Sequence, residues 1–148
     1  MTVAVRLDTS HSMQSWAGSG GESKIATEIN DRIRKPLLAA EYRKIAELLI
    51  RPEAQPSSNA LKNALLFLEN LLDRAMKLGS WSSPHITLSE AGEIVFEWWQ
   101  NDKKITLYFG NNEPEYIKVW GTNIHTEMES GMLTYGWGLT NLWLWLHS

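Results

Sequence analysis

The chain has 148 residues, a net charge of −3 and 43% apolar side chains, which suits one globular domain able to bury roughly 68–70% of its unfolded surface. It has no cysteine, which excludes disulfides, cysteine-ligated metal sites and a cysteine nucleophile and is compatible with a reducing, cytoplasmic setting. The acidic balance disfavours nucleic-acid binding, since a duplex-binding surface needs a clear basic excess.

Residues 1–22 read as a flexible or weakly structured arm. Thr2 to Leu7 alternates like a short strand, but Asp8, Thr9, Ser10 and His11 interrupt any apolar core of signal-peptide length. Gly18-Ser19-Gly20-Gly21 invites comparison with a phosphate-binding loop. That motif needs Lys followed by Ser or Thr, whereas here Ser23 precedes Lys24 and Ile25 follows it. A hinge is the expectation. Val5-Arg6-Leu7 and Met13-Gln14-Ser15-Trp16 resemble the start of the CRISPR Cascade subunit that caps the guide-RNA handle, with Ala17 where that family has glycine.

From 23 to 148 the pattern is that of a single α+β domain. Ile25, Ile29 and Ile33 fall four apart on one helical stripe. Pro36 is expected to interrupt that helix and to restart a second one, which carries Leu37, Leu38, Tyr42, Ile45, Leu48 and Leu49 inward. Arg51 to Pro56 ends it. The clearest helix spans 57 to 78, where Leu61, Leu65, Leu68, Leu72 and Met76 recur at steps of three and four with Ala64, Leu71 and Ala75 beside them. Ser57 or Ser58 offers its N-cap and Gly79 its C-cap. Asp73 and Lys77 sit at i and i+4 on its polar side.

The stretch from Pro84 to Trp120 organises the rest. Ile86 and Leu88, then Ile94 to Trp99, then Ile105 to Phe109, then Tyr116 to Trp120 are apolar runs separated by turn residues, the pattern of an antiparallel meander. The fold expected is therefore a three- to four-stranded meander packed on one face by two or three helices. Alternation puts Ile94, Phe96 and Trp98 on one face. The opposite face is expected to collect Glu97, Trp99, Thr106, Tyr108, Tyr116, Lys118 and Trp120. Of these, Glu97, Trp99, Tyr108, Tyr116, Lys118 and Trp120 are the candidate binding residues. Asn123 to Ser130 reads as one turn of helix closed by Gly131, and Thr140 or Asn141 as the cap of a last helix carrying Leu142, Trp143 and Leu146. The apolar run from 139 to 146 is far short of the ~20 residues that span a bilayer, so no membrane partner is expected.

No catalytic, metal or cofactor set emerges. His11, His85, His125 and His147 form no metal-ligand spacing. His125-Thr126-Glu127 matches half of a zinc-deaminase motif whose cysteines are missing. Glu90, Glu93 and Glu97 around the first hairpin read as solvent-facing charges rather than an acid/base pair. Eight tryptophans suggest rings filling the space between sheet and helices, or some exposed as interface anchors.

The second half resembles small uncharacterised bacterial proteins of cyanobacteria and proteobacteria. The shared positions are a leucine-rich helix, Pro84, Ile86, Gly92, Ile94, Glu97, Trp98, the run Tyr116 to Gly121, Glu127 to Gly131 and a closing Leu-Trp-Leu. Such proteins are often encoded beside toxin–antitoxin or other defence genes, and the resemblance implies partner binding. The function expected is thus non-enzymatic binding of another protein, antitoxin-like or as a defence-system accessory. Two alternatives stand beside it. One is a small enzyme with its site between the Gly-rich arm and the sheet, using Glu97 with His85 or His125. The other is an RNA-binding, CRISPR-related sheet with Trp99, Tyr108 and Trp120 as stacking platforms.

Overall fold

The computed structural model describes residues 17–53 and 55–148. The strand expected at Thr2 to Leu7 and the Cascade-like run at Met13 to Trp16 lie outside them. In chain order the elements are helices α1 (Ala17–Leu49) and α2 (Ser58–Lys77), strands β1 (His85–Leu88), β2 (Ile94–Gln100), β3 (Lys103–Phe109), β4 (Glu115–Val119) and β5 (Met128–Met132), and helix α3 (Trp137–Leu146). The fold is α+β, with five strands among the described residues in sequential antiparallel order rather than three or four.

The break expected at Pro36 does not occur. The residue lies inside one continuous α1, where its ring crowds the Arg32 carbonyl and removes the N–H that would bond it. Pro36 and Arg32 are both exposed, so water can donate to that carbonyl in place of the missing N–H. The Gly-rich run read as a hinge is helical, within the first turns of the same element. The Ile25, Ile29 and Ile33 stripe stays 47–58% exposed, and burial along α1 begins only at Leu38 and continues at Ile45 and Leu48. Leu49, expected inward, is exposed.

Helix α2 follows its sequence pattern closely. Ser57 is the N-cap, its side chain accepting the Ala60 N–H at 3.0 Å. At the other end the Gly79 N–H bonds the Met76 carbonyl and the Ser80 N–H bonds that of Ala75, the paired bonds of a Schellman motif. This needs the left-handed conformation that Gly79 takes (φ +81°). Asp73 does not wait for Lys77; Arg34 of α1 reaches it at 2.6 Å.

Phe67, Leu68, Leu71 and Leu72 of α2 meet Ile94, Phe96 and Trp98 of β2 and Ile105, Leu107 and Phe109 of β3 in one core, closed by Leu139, Trp143 and Leu146 of α3. Trp143 stacks on Trp81 (5.7 Å between ring centroids) and meets Trp98 edge-on at the same distance. The Trp98 and Trp143 indoles donate to the Ser82 and Ser80 carbonyls. Between α1 and the approach to β1, the buried Glu41 carboxylate accepts from Ser83 and pairs with Lys44 at 2.9 Å, and Lys44 also donates to the Pro84 carbonyl. A buried charge held this way locks α1 to the segment entering the sheet.

Two elements depart from expectation near the C-terminus. The segment from Asn123 is a tight turn followed by a strand. Asn123 accepts the His125 N–H on its side chain and the Glu127 N–H on its carbonyl, and the chain then pairs with β4 from Met128 to Met132. Met-Glu-Ser-Gly-Met has no β-branched residue, so pairing rather than propensity makes it a strand. Helix α3 starts at Trp137, before the expected Thr140 or Asn141 cap, from Gly136 at φ +72°.

Candidate binding face of the sheet

The ladder registers decide which side chains share a face, because residues directly opposite each other point the same way. One row on the side away from the helices reads His85, Glu97, Thr106, Ile117, Ser130. The next reads Thr87, Val95, Tyr108, Glu115, Met132, and a third reads Trp99, Lys104, Val119, Met128. None of these side chains belongs to the core that the helices build. Thr106 and Val95 lie buried at the centre, at 5% and 6% exposure, among their own sheet neighbours.

Trp99 stands out of this outer face, 55% exposed. Lys104 ties its surroundings together: its ammonium lies 2.6 Å from Glu97 and 5.0 Å from the centre of the Trp99 ring. His85 lies on the other flank of the same ring, 6.3 Å between centroids. Tyr108 lies farther along, lining a polar hollow of about 350 Å³ with Glu93, Glu113, Glu115, Asn111 and Asn112. Three of the candidate residues, Glu97, Trp99 and Tyr108, therefore share the outer face.

The other three do not. Leu107 of β3 pairs with Tyr116, and Ile105 with Lys118, so Tyr116 and Lys118, and by alternation Trp120, turn to the helix side, while Ile117 and Val119 take the outer face. This reverses the facing expected for β4. The physical reason lies in what covers that end of the inner face. It is the C-terminal half of α3, whose Trp145 receives Trp120 edge-on at 6.1 Å and the Lys118 ammonium at 5.1 Å from its ring centre. Aromatic rings with polar tips and a long lysine stem fit such a half-wet cover.

These inner groups form their own network. Tyr116 donates to Glu129 at 2.9 Å and Lys118 pairs with the same carboxylate oxygen at 3.1 Å. Lys118 first and Tyr116 second hold the Glu129 carboxyl below the ordinary range, while burial first and the bond to Glu129 second push the Tyr116 phenol up. The network opens on a cavity of about 280 Å³ that Thr134 and Asn141 also line. Lys103 pins the end of α3 by donating to the Trp145 carbonyl at 2.9 Å.

Of the histidines, His85 is on the outer face, His125 is exposed in the β4–β5 turn, and His147 closes α3 with its ring against Trp143. Glu127, the acid of the His-x-Glu pair, accepts the Asn123 N–H and so serves the turn. Glu90 is exposed and Glu93 is bonded to Ser89, so the three hairpin carboxylates do not converge on one another's partners. Among the described residues no three His, Asp or Glu side chains are grouped to hold a metal ion, and no helix is long and apolar enough to cross a membrane. Sequence reasoning missed Ile117, Val119, Met128 and Met132 as outer-face residues; the signal for the two methionines lies in a strand whose composition hides it. Comparison with protein-family models, with curated proteins and with solved structures finds no match.

Proposed function

We propose that this protein is a non-enzymatic factor that binds another protein through the outer face of its sheet, as an antitoxin-like or defence-system accessory. The observation that carries the reading is the composition of that face. Trp99 stands exposed on β2, Ile117, Val119, Met128 and Met132 add apolar side chains on β4 and β5 of the same face, and between them Glu97 and Lys104 neutralise each other. Interfaces use this arrangement, an aromatic hot spot in a surround of lesser contacts with charge kept paired. The defence-related setting rests on the resemblance of residues 60–147 to proteins encoded beside such genes.

The enzyme alternative draws on one observation: His85 and Glu97 lie directly opposite each other across β1 and β2. Glu97 is already engaged by Lys104 at 2.6 Å, which leaves it poorly placed as a free base.

The test is affinity capture from the native lysate, with and without nuclease, using the wild-type chain and Trp99→Ala. A stoichiometric protein partner that survives nuclease and is lost with Trp99→Ala supports the reading. Capture that nuclease abolishes, or that Trp99→Ala leaves intact, overturns it.

A further inference from the structure

The sheet ends at β5, whose far side pairs with no other strand among the described residues. Natural edge strands are blunted by lysine, proline, bulges or an inward charge. Strand β5 is Met-Glu-Ser-Gly-Met, without Lys or Pro; it pairs residue for residue with β4, and its one inward charge, Glu129, is already paired with Lys118. Two flanking bonds fix which way its backbone points. The Trp120 N–H donates to the Glu127 carbonyl, and the Leu133 N–H to that of Pro114. Residues 127, 129, 131 and 133 thus turn their peptide groups toward β4, and Met128, Ser130 and Met132 turn theirs outward. All three of these residues are exposed.

That outward set is symmetric about Ser130. We propose that the protein self-associates by antiparallel pairing of β5 with β5 of a second copy, about a two-fold axis through Ser130, joining the two sheets into one. In this register Ser130 faces Ser130, and Met128 faces Met132 of the other copy, so every outward N–H and C=O finds a partner. Glu129 falls opposite Gly131 rather than opposite its own equivalent. Moving the axis to residue 129 would set Glu129 against Glu129, and moving it to 131 would leave Met128 unpaired. Only the Ser130 axis satisfies both hydrogen bonding and charge. Glu129 also arrives neutralised, since Lys118 and Tyr116 of its own chain hold it.

A five-residue strand pair is small beside the roughly 1,200–2,000 Å² of a stable interface. Additional apolar area is close by in sequence. Met128 and Met132 are 38% and 50% exposed, and Ile124 and Trp137, on either side of the strand, are 61% and 77% exposed. A closed two-fold pairing of one patch with itself is the commonest form of homo-oligomer. The proposal uses the sheet edge and stands whether or not Trp99 engages another protein.

The cysteine-free sequence makes the test direct. A hydrogen-bonded antiparallel pair holds its Cα atoms about 5.5 Å apart, within disulfide range. Ser130→Cys should therefore give a covalent dimer under mild oxidation, whereas Met132→Cys, facing a methionine, should not. Sedimentation equilibrium of the wild type should show a concentration-dependent dimer. Ser130→Pro, which deletes an outward N–H that β4 does not use, should abolish that dimer without changing the far-UV spectrum. If that variant misfolds, Met132→Lys on the exposed outer face takes its place and should likewise dissociate the dimer. A monomeric wild type would overturn the proposal and leave an extended peptide of another protein as the remaining occupant of the edge. Cross-linking of Met132→Cys as efficient as that of Ser130→Cys would overturn the register, as would a dimer that survives both edge substitutions.

Discussion

Trp98 and Trp99 are neighbours in the chain and belong to opposite sides of the sheet, so replacing each by alanine tests the assignment of faces. Trp98 is 3% exposed; its ring meets Phe96, Trp81 and Trp143, and its N–H bonds the Ser82 carbonyl at 2.8 Å. Trp98→Ala opens a cavity in the core and should cost about 3–5 kcal/mol, a large part of the ~5–15 kcal/mol that holds a domain folded. At about 2–4 °C per kcal/mol for a chain of this size, the melting temperature should fall by roughly 6–20 °C. Trp99 is 55% exposed, and its clearest partner is Lys104 over its ring. Trp99→Ala forfeits a contact worth about 0.5–1 kcal/mol at such a site, so its melt should shift by less than about 4 °C. Thermal unfolding followed by near-ultraviolet circular dichroism reads both variants. Equal losses, or a larger loss at Trp99, would refute the placement of β2 and with it the outer face as a surface free to bind.

Glu41→Ala should destabilise the fold by about 2 kcal/mol, because it removes the charge-assisted hydrogen bond from Ser83 that joins α1 to the entry of β1 and strips Lys44 of its carboxylate; urea unfolding would measure it. Gly79→Ala should cost about 1–2 kcal/mol from left-handed backbone strain alone, since a Cβ there would meet nothing within 4 Å; an unchanged urea midpoint would contradict the φ of +81°. Lys118 and Tyr116 hold the Glu129 carboxyl below its ordinary range, so the ionised form favours the fold. That contribution is present above the ordinary carboxylate pKa and is lost as pH falls through the lowered folded value. The wild-type midpoint should therefore drop more steeply on acidification than that of Glu129→Gln, and parallel pH profiles would show that the network carries no stability.

The fold was legible where local chemistry and tertiary packing agree. The leucine stripe and Ser57 and Gly79 caps of α2 mark a helix by propensity, amphipathicity and termini at once, and its bounds follow. The hairpins from β1 to β4 are legible for the same reason, with β-branched and aromatic runs between turn residues. Pro36 misleads because its local penalty depends on whether the orphaned Arg32 carbonyl can reach water, which a sequence does not state. Strand β5 is hidden because β4 imposes it: Met-Glu-Ser-Gly-Met gains its hydrogen bonds from a neighbour and carries no strand signature. Ile25, Ile29 and Ile33 form the expected stripe, but a stripe records only which side chains align. What covers them is set by where the next helix lies, and α2 comes beside α1 only from the end of that stretch, at Asn30, Ile33 and Arg34, across the groove that Met76 and Trp81 help to line.

The reversal of β4 has the largest consequence for function. Hydrophobicity alone assigns Ile117 and Val119 to the core and Tyr116, Lys118 and Trp120 to water. The ladder does the opposite, because α3 supplies an inner cover with a tryptophan, carbonyls and an open flank, to which amphipathic side chains are suited. The outer face thereby loses an aromatic ring, a phenol and a cation, and gains two aliphatic side chains. A surface for stacking successive bases needs several exposed rings with cations along them. Of the trio Trp99, Tyr108 and Trp120, the last is turned away against Trp145, and Lys104 on the same face is already paired with Glu97. One exposed indole, with Ile117, Val119 and two methionines on the far strands of the same face, suits the proposed protein partner better than a polyanion. Moving three residues to the other side of one strand thus removes from the outer face the rings and cation that a stacking surface for bases would need.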